Sequence, residues 1–118
     1  MRTRIVTDSG AELSAQVADD LGIVVVPWTV RLGAEVVADG DSLRTPEFYR
    51  KMVRQKVTPV ATAPTRQAMA ETYASLASGC DEIVSIHTSA TLGGVVPAAS
   101  RARAGILGRC QIRVVDSQ

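Results

Sequence analysis

Three apolar runs in this sequence end in short polar clusters, and those clusters hold the residue types best suited to chemistry. Ile5-Val6 leads into Thr7-Asp8-Ser9, Ile86 into His87-Thr88-Ser89, and Val114-Val115 into Asp116-Ser117. Hydroxyls, like the free amides at a helix start, donate hydrogen bonds to an anion without demanding a buried countercharge. Such a set suits a carboxylate or a phosphate. Each hydroxyl taken alone also has a structural explanation. Ser9, Thr65 and Ser89 can cap helices or turns, and Ser9 with Glu12 has capping-box spacing, although Ser14 competes for the same helix. Recurrence at three strand ends is what argues for a ligand.

Other chemistries fare less well. His87 is the only histidine, and with Ser9 or Ser89 and Asp8 or Asp116 it supplies the parts of a serine-histidine-aspartate triad. Most compositions allow that much. Asp39-Gly40-Asp41 reads as a turn, since no histidine or cysteine lies near it to build a metal site. Gly93-Gly94 lacks the Lys-Ser/Thr of a phosphate-binding loop and the spacing of a dinucleotide fingerprint, and no serine stands in a nucleophile elbow.

The elements that must position these residues follow from periodicity. Arg4 to Thr7 reads as a strand, and Leu13, Val17 and Leu21 recur at helical spacing until Gly22 ends the helix. Ile23 to Val30 is apolar on both faces and reads as one covered strand, with Val36-Val37 as a shorter edge strand. Thr45-Pro46-Glu47 combines a cap, proline at the first helical position and an acid in the first turn, which predicts a helix to about Lys56. A loop over 57–64 precedes a helix capped by Thr65, with Met69, Tyr73 and Leu76 on its inner face, ending near Gly79. Ile83 to Ile86 is the next strand, Pro97 to Leu107 a helix ended by Gly108, and Ile112 to Val115 a last strand. This alternation predicts an α/β fold of three layers, α/β/α, around a mostly parallel sheet. In such sheets ligands bind beyond the carboxyl ends of the strands, where the polar clusters fall.

A chain of 118 residues can bury a single core. Thirteen basic against twelve acidic residues give a net charge of +1 without a long single-sign run, which offers nothing to nucleic acid or an anionic membrane. The longest apolar stretch, Ile23 to Val30, is broken by Pro27 and is too short to span a bilayer, and the N-terminus lacks a signal-peptide core, so a cytoplasmic location is expected. Cys80 and Cys110 have no motif spacing and follow turn-like glycines, which predicts reduced, inert thiols.

At these residues the chain resembles the N-terminal domain of the DegV family of bacterial fatty-acid-binding proteins, which have the EDD fold. The resemblance runs through Ile5 to Ser9, Gly22-Ile23 to Pro27, Asp39-Gly40, Thr45-Pro46-Glu47-Phe48-Tyr49, Pro59 to Thr65, Ile83 to Ser89, Leu92 and Gly94, and Val115-Asp116-Ser117. It implies a non-enzymatic, cofactor-free carrier that holds a long-chain fatty acid between two α/β domains. The carboxylate would lie at hydroxyl-bearing loops, and the acyl chain would be presented to a separate fatty acid kinase. Residues 1–118 would be the first domain, with the second absent from this chain, and exposed pocket surface would then favour association of two chains. The implied ligand-binding residues are Thr62, Ser89, Ser9, Gly93 and Gly94. The family's Thr-Ser pair falls on Ala61-Thr62, and its carboxylate-binding serine falls on Gly93. The alternative to a carrier is a small hydrolase or phosphotransferase using His87 with Ser89.

Overall fold

A computed structural model describes residues 2–40, 45–56, 58–87, 94–106 and 110–117. Four parallel strands, β1 (Thr3–Asp8), β2 (Ile23–Val26), β6 (Glu82–His87) and β7 (Gln111–Asp116), form a sheet in the order β2-β1-β6-β7. Between β2 and β6 the chain builds a small antiparallel sheet in the order β4-β3-β5 from β3 (Thr29–Leu32), β4 (Glu35–Ala38) and β5 (Val60–Thr62). The helices are α1 (Ala15–Leu21), α2 (Pro46–Gln55), α3 (Arg66–Ala77) and α4 (Val95–Arg103). The α/β class and the parallel sheet are as the sequence predicts.

Strand alternation divides the parallel sheet into two faces. Val6, Val26, Ile83 and Ile112 point to one face and are buried with Met69 and Tyr73 of α3 and Ala99 and Ala102 of α4. On the other face Val25 shares a cavity with Leu13 and Ala15 at the start of α1, while Ile5, Ile86 and Val115 remain exposed. A right-handed crossover from β1 to β2 requires α1 on that second face.

The caps are mostly those the sequence announces. Ser14, Thr45 and Thr65 each accept a hydrogen bond from an N–H three residues on, and Gly22 ends α1 with a φ of 68°. Ser14 therefore wins the first helix, and the Ser9–Glu12 capping box does not form. Ser9 instead opens a single 3-10 turn that ends on Glu12. Two further readings are corrected. Ile23 to Val30 is not one strand, because Pro27, which has no N–H for a ladder, ends β2 and the chain turns into the second sheet. The predicted loop over 57–64 contains β5, whose three exposed residues carry too short a pattern to read. α4 begins at Val95, so Pro97 lies in its first turn, where an N–H has no intrahelical partner to lose. That helix also ends earlier than predicted, at Arg103 with Ala104 as its cap and a turn following, four residues short of Leu107.

Candidate functional site

The strand order places the site. From β1 the chain moves to β2 on one side, while β6 and β7 lie on the other, so the connections diverge between β1 and β6. Open parallel sheets have their crevice at such a switch point. The register that pairs Thr7 with Ile86 brings Asp8 and His87, the last residues of the two strands, side by side.

They sit at the head of a buried polar chain. The Tyr73 hydroxyl donates to Ser85 Oγ at 2.7 Å, Ser85 Oγ lies 2.5 Å from His87 Nε2, and His87 Nδ1 lies 2.6 Å from Asp8 Oδ2. With the imidazole proton on Nδ1, every step runs one way, from Tyr73 through Ser85 and His87 to Asp8. Asp8 Oδ1 also accepts from Trp28 Nε1 and from the Gly10 N–H, each at 2.8 Å. Burial pushes the Asp8 carboxyl up, but the hydrogen bonds from His87, Trp28 and Gly10 outweigh it and hold the group below its ordinary value. Burial likewise raises the Tyr73 phenol, with the Ser85 hydrogen bond and the Arg103 charge opposing it. Asp8, Ser85, His87 and Tyr73 are at most 2% exposed, and among the described residues no buried side-chain polar atom lacks a partner.

This network joins three segments. Asp8 fixes the turn after β1 through Gly10, the end of β6 through His87, and the corner after β2 through Trp28. Ser9, 3% exposed, reinforces that corner by accepting from the Trp28 N–H at 2.9 Å, and Thr7 Oγ1 donates to the Ile86 carbonyl at 2.8 Å. Beside the corner lies a cavity of about 250 Å3 lined largely by apolar groups of Leu13, Ala15, Val25, Pro27 and Ala38, with Ser9, Asp39 and Gly40 completing the lining.

The residues predicted to bind a ligand separate into two groups. Ser9 is buried and already committed to Trp28. Thr62 ends β5 and is exposed, its hydroxyl without a hydrogen-bond partner among the described residues. It pairs with Thr29, the neighbour of Trp28, so register carries it towards the same corner. Gly94 caps α4 in open space, with no side-chain cap and no acid in the first turn of that helix. Ser89 and Gly93 lie outside the described residues. The sequence reading missed Ser85, Tyr73 and Trp28 as partners of Asp8 and His87. One signal was present, since residues 83, 85 and 87 share a strand face, and an isolated serine beside Ile83 on a core face needs a buried partner.

His87 thus spends both ring nitrogens on buried groups. Ser85 is 0% exposed and cannot reach a substrate, so the Asp8–His87–Ser85 line has the parts of a triad without an accessible nucleophile.

The arrangement defines an open parallel α/β domain with a small antiparallel sheet joined to it at the Pro27–Trp28 corner. The family described as "Uncharacterised protein, DegV family" matches residues 2–118, and the chain belongs to it. It is 35% identical over 117 residues to the DegV domain-containing protein YejH of Lactococcus lactis, and 43% identical over 97 residues to a DegV domain-containing protein of Streptomyces coelicolor. These alignments cover 99% and 80% of this chain but 41% and 34% of the relatives, so the chain spans about two-fifths or less of their length. Among solved structures, a DegV family protein from Thermus thermophilus, described as binding fatty acid, is 31% identical with a TM-score of 0.85 over 98% of this chain and 41% of its own. A stearic-acid-binding protein from Eubacterium ventriosum is 25% identical, also with a TM-score of 0.85, over 98% and 41%. Among the described residues no helix is long and apolar enough to cross a membrane, and no group of three or more His, Cys, Asp or Glu could hold a metal ion.

Proposed function

We propose that this chain is the carboxylate-holding part of a long-chain fatty-acid-binding protein, and that it acts as a carrier and not as an enzyme. The observation that carries this reading is the likeness to the Thermus thermophilus fatty-acid-binding protein along nearly the whole chain. The physical case is the division of hydroxyls at strand ends. Thr62 is free to donate, Gly94 opens an uncapped helix, and Ser89 and Gly93 fall in the sequence between β6 and that helix, outside the described residues.

Energetics favour an amphipathic ligand. Burying a dozen methylenes contributes on the order of 10 kcal/mol at ~0.8 kcal/mol each, against ~1.5–3 kcal/mol for each hydrogen bond to the charged head group. The tail sets affinity and the hydroxyls set orientation. The described cavity of about 250 Å3 is below the roughly 300–1,000 Å3 usual for ligand sites. In this reading a second domain supplies the opposite wall, and the bound acid is presented to a kinase that phosphorylates its carboxylate. Location in the cytoplasm belongs to the same reading.

Mass spectrometry of solvent extracts from the purified full-length protein tests it. The expected result is a long-chain fatty acid above the level of a mock purification; extracts with no enrichment would exclude the carrier reading. The hydrolase alternative gains no support, because His87 offers no free ring nitrogen to Ser89 or any other nucleophile.

A further inference from the structure

The opposite end of the parallel sheet holds a second feature, unrelated to ligand binding. Cys80 follows α3 and Cys110 precedes β7, and the register that pairs Glu82 with Gln111 draws both cysteines to the amino-terminal end of neighbouring strands. Their sulfurs are 3.7 Å apart, within hydrogen-bond distance and not joined in a disulfide, with residue exposures of 7% and 6%. Sequence spacing gave no hint of this, because thirty residues separate the two.

We propose that Cys80 and Cys110 form a dithiol modification site that small peroxides oxidise to an intramolecular disulfide, tying the end of α3 to the start of β7. A disulfide needs about 2.05 Å between sulfurs, and the remaining gap is within the reach of χ1 rotation. Near-complete burial favours hydrogen peroxide over a bulky disulfide such as oxidised glutathione. Burial, followed by the neighbouring Cys80 sulfur, pushes the Cys110 thiol up to about 11, which makes Cys110 the resolving sulfur in this proposal.

The chemistry balances in two steps. The Cys80 thiolate attacks one peroxide oxygen, an S–O bond forms, the O–O bond breaks, and the departing hydroxide takes up the thiol proton as water. Cys110 sulfur then attacks the Cys80 sulfenic acid, an S–S bond forms, the S–O bond breaks, and hydroxide leaves with the Cys110 proton as a second water. Two thiols lose two electrons, and one peroxide becomes two waters. The adjacent second sulfur traps the sulfenic acid before further oxidation. Because the pair lies at the far end of the strands from Asp8 and His87, the bond would leave the ligand edge in place.

The test treats the purified protein with hydrogen peroxide, alkylates it under denaturing conditions and maps its peptides. The expected product is a peptide pair linked through Cys80 and Cys110 and released by dithiothreitol. In Cys110→Ser, Cys80 should instead stop at a sulfenic acid captured by dimedone. Recovery of both cysteines as alkylated thiols, as sulfinic or sulfonic acids, or only in links between chains would overturn the proposal. Should Cys110→Ser fail to fold, the wild-type peptide map decides alone.

Discussion

At the carboxyl ends of β1 and β6, Asp8, Ser9, Ser85 and His87 are at most 3% exposed and hydrogen-bonded inside the protein. At the end of β5, Thr62 carries the same kind of polar group into solvent with no partner among the described residues. The two meet different physical requirements. A buried polar group that loses its partner pays its full desolvation cost, so the first set is locked into structure. An exposed hydroxyl loses little by exchanging water for a ligand, which is the role proposed for Thr62. In the proposed reading the polar residues at strand ends divide into a scaffold and a contact surface, and burial separates them.

The largest effect should come from breaking the scaffold. His87→Ala removes the only partner of Asp8 Oδ2 in this network and the acceptor of the Ser85 hydroxyl, both deep in the core, and a loss of about 3–5 kcal/mol in urea unfolding is expected. A loss within 1 kcal/mol would mean that water replaces the imidazole and that this region is not a scaffold.

Acid should weaken the same network in a defined direction. The folded Asp8 carboxyl lies below its ordinary 3.8, so its contribution is complete above that value and is lost as pH falls through the folded one. The stability gap between wild type and Asp8→Asn should accordingly narrow on acidification below about pH 4. A gap that stays constant would show that the charge on Asp8 is not what holds the three segments.

Much of this architecture was legible because it rests on local rules. The caps at Thr45 and Thr65, the stop at Gly22 and the core stripe of Met69 and Tyr73 follow from side-chain chemistry within a few residues. The polar carboxyl-terminal edge of the sheet followed from the short polar clusters at strand ends, whereas the strand order that makes a switch point there did not. What remained hidden depends on pairings distant in sequence. His87 meets Asp8 across 79 residues and Trp28 meets Asp8 across 20, and no local pattern encodes either register. The small antiparallel sheet was missed for a related reason, since Pro27 redirects a β-branched run into a different sheet without changing its composition.

The central claim, that burial sorts the polar residues at strand ends into scaffold and contact, is tested most directly by two substitutions compared in the full-length protein. Tyr73→Phe removes one buried hydroxyl and should cost about 0.5–1.5 kcal/mol of stability, with no change in the dissociation constant of a fluorescent fatty acid. Thr62→Ala should leave stability within about 0.5 kcal/mol and weaken that binding by about 1.5–3 kcal/mol. Measured together by urea unfolding and fluorescence titration, the two variants should give crossed effects. Unchanged binding in Thr62→Ala, or binding weakened as much by Tyr73→Phe, would contradict the account.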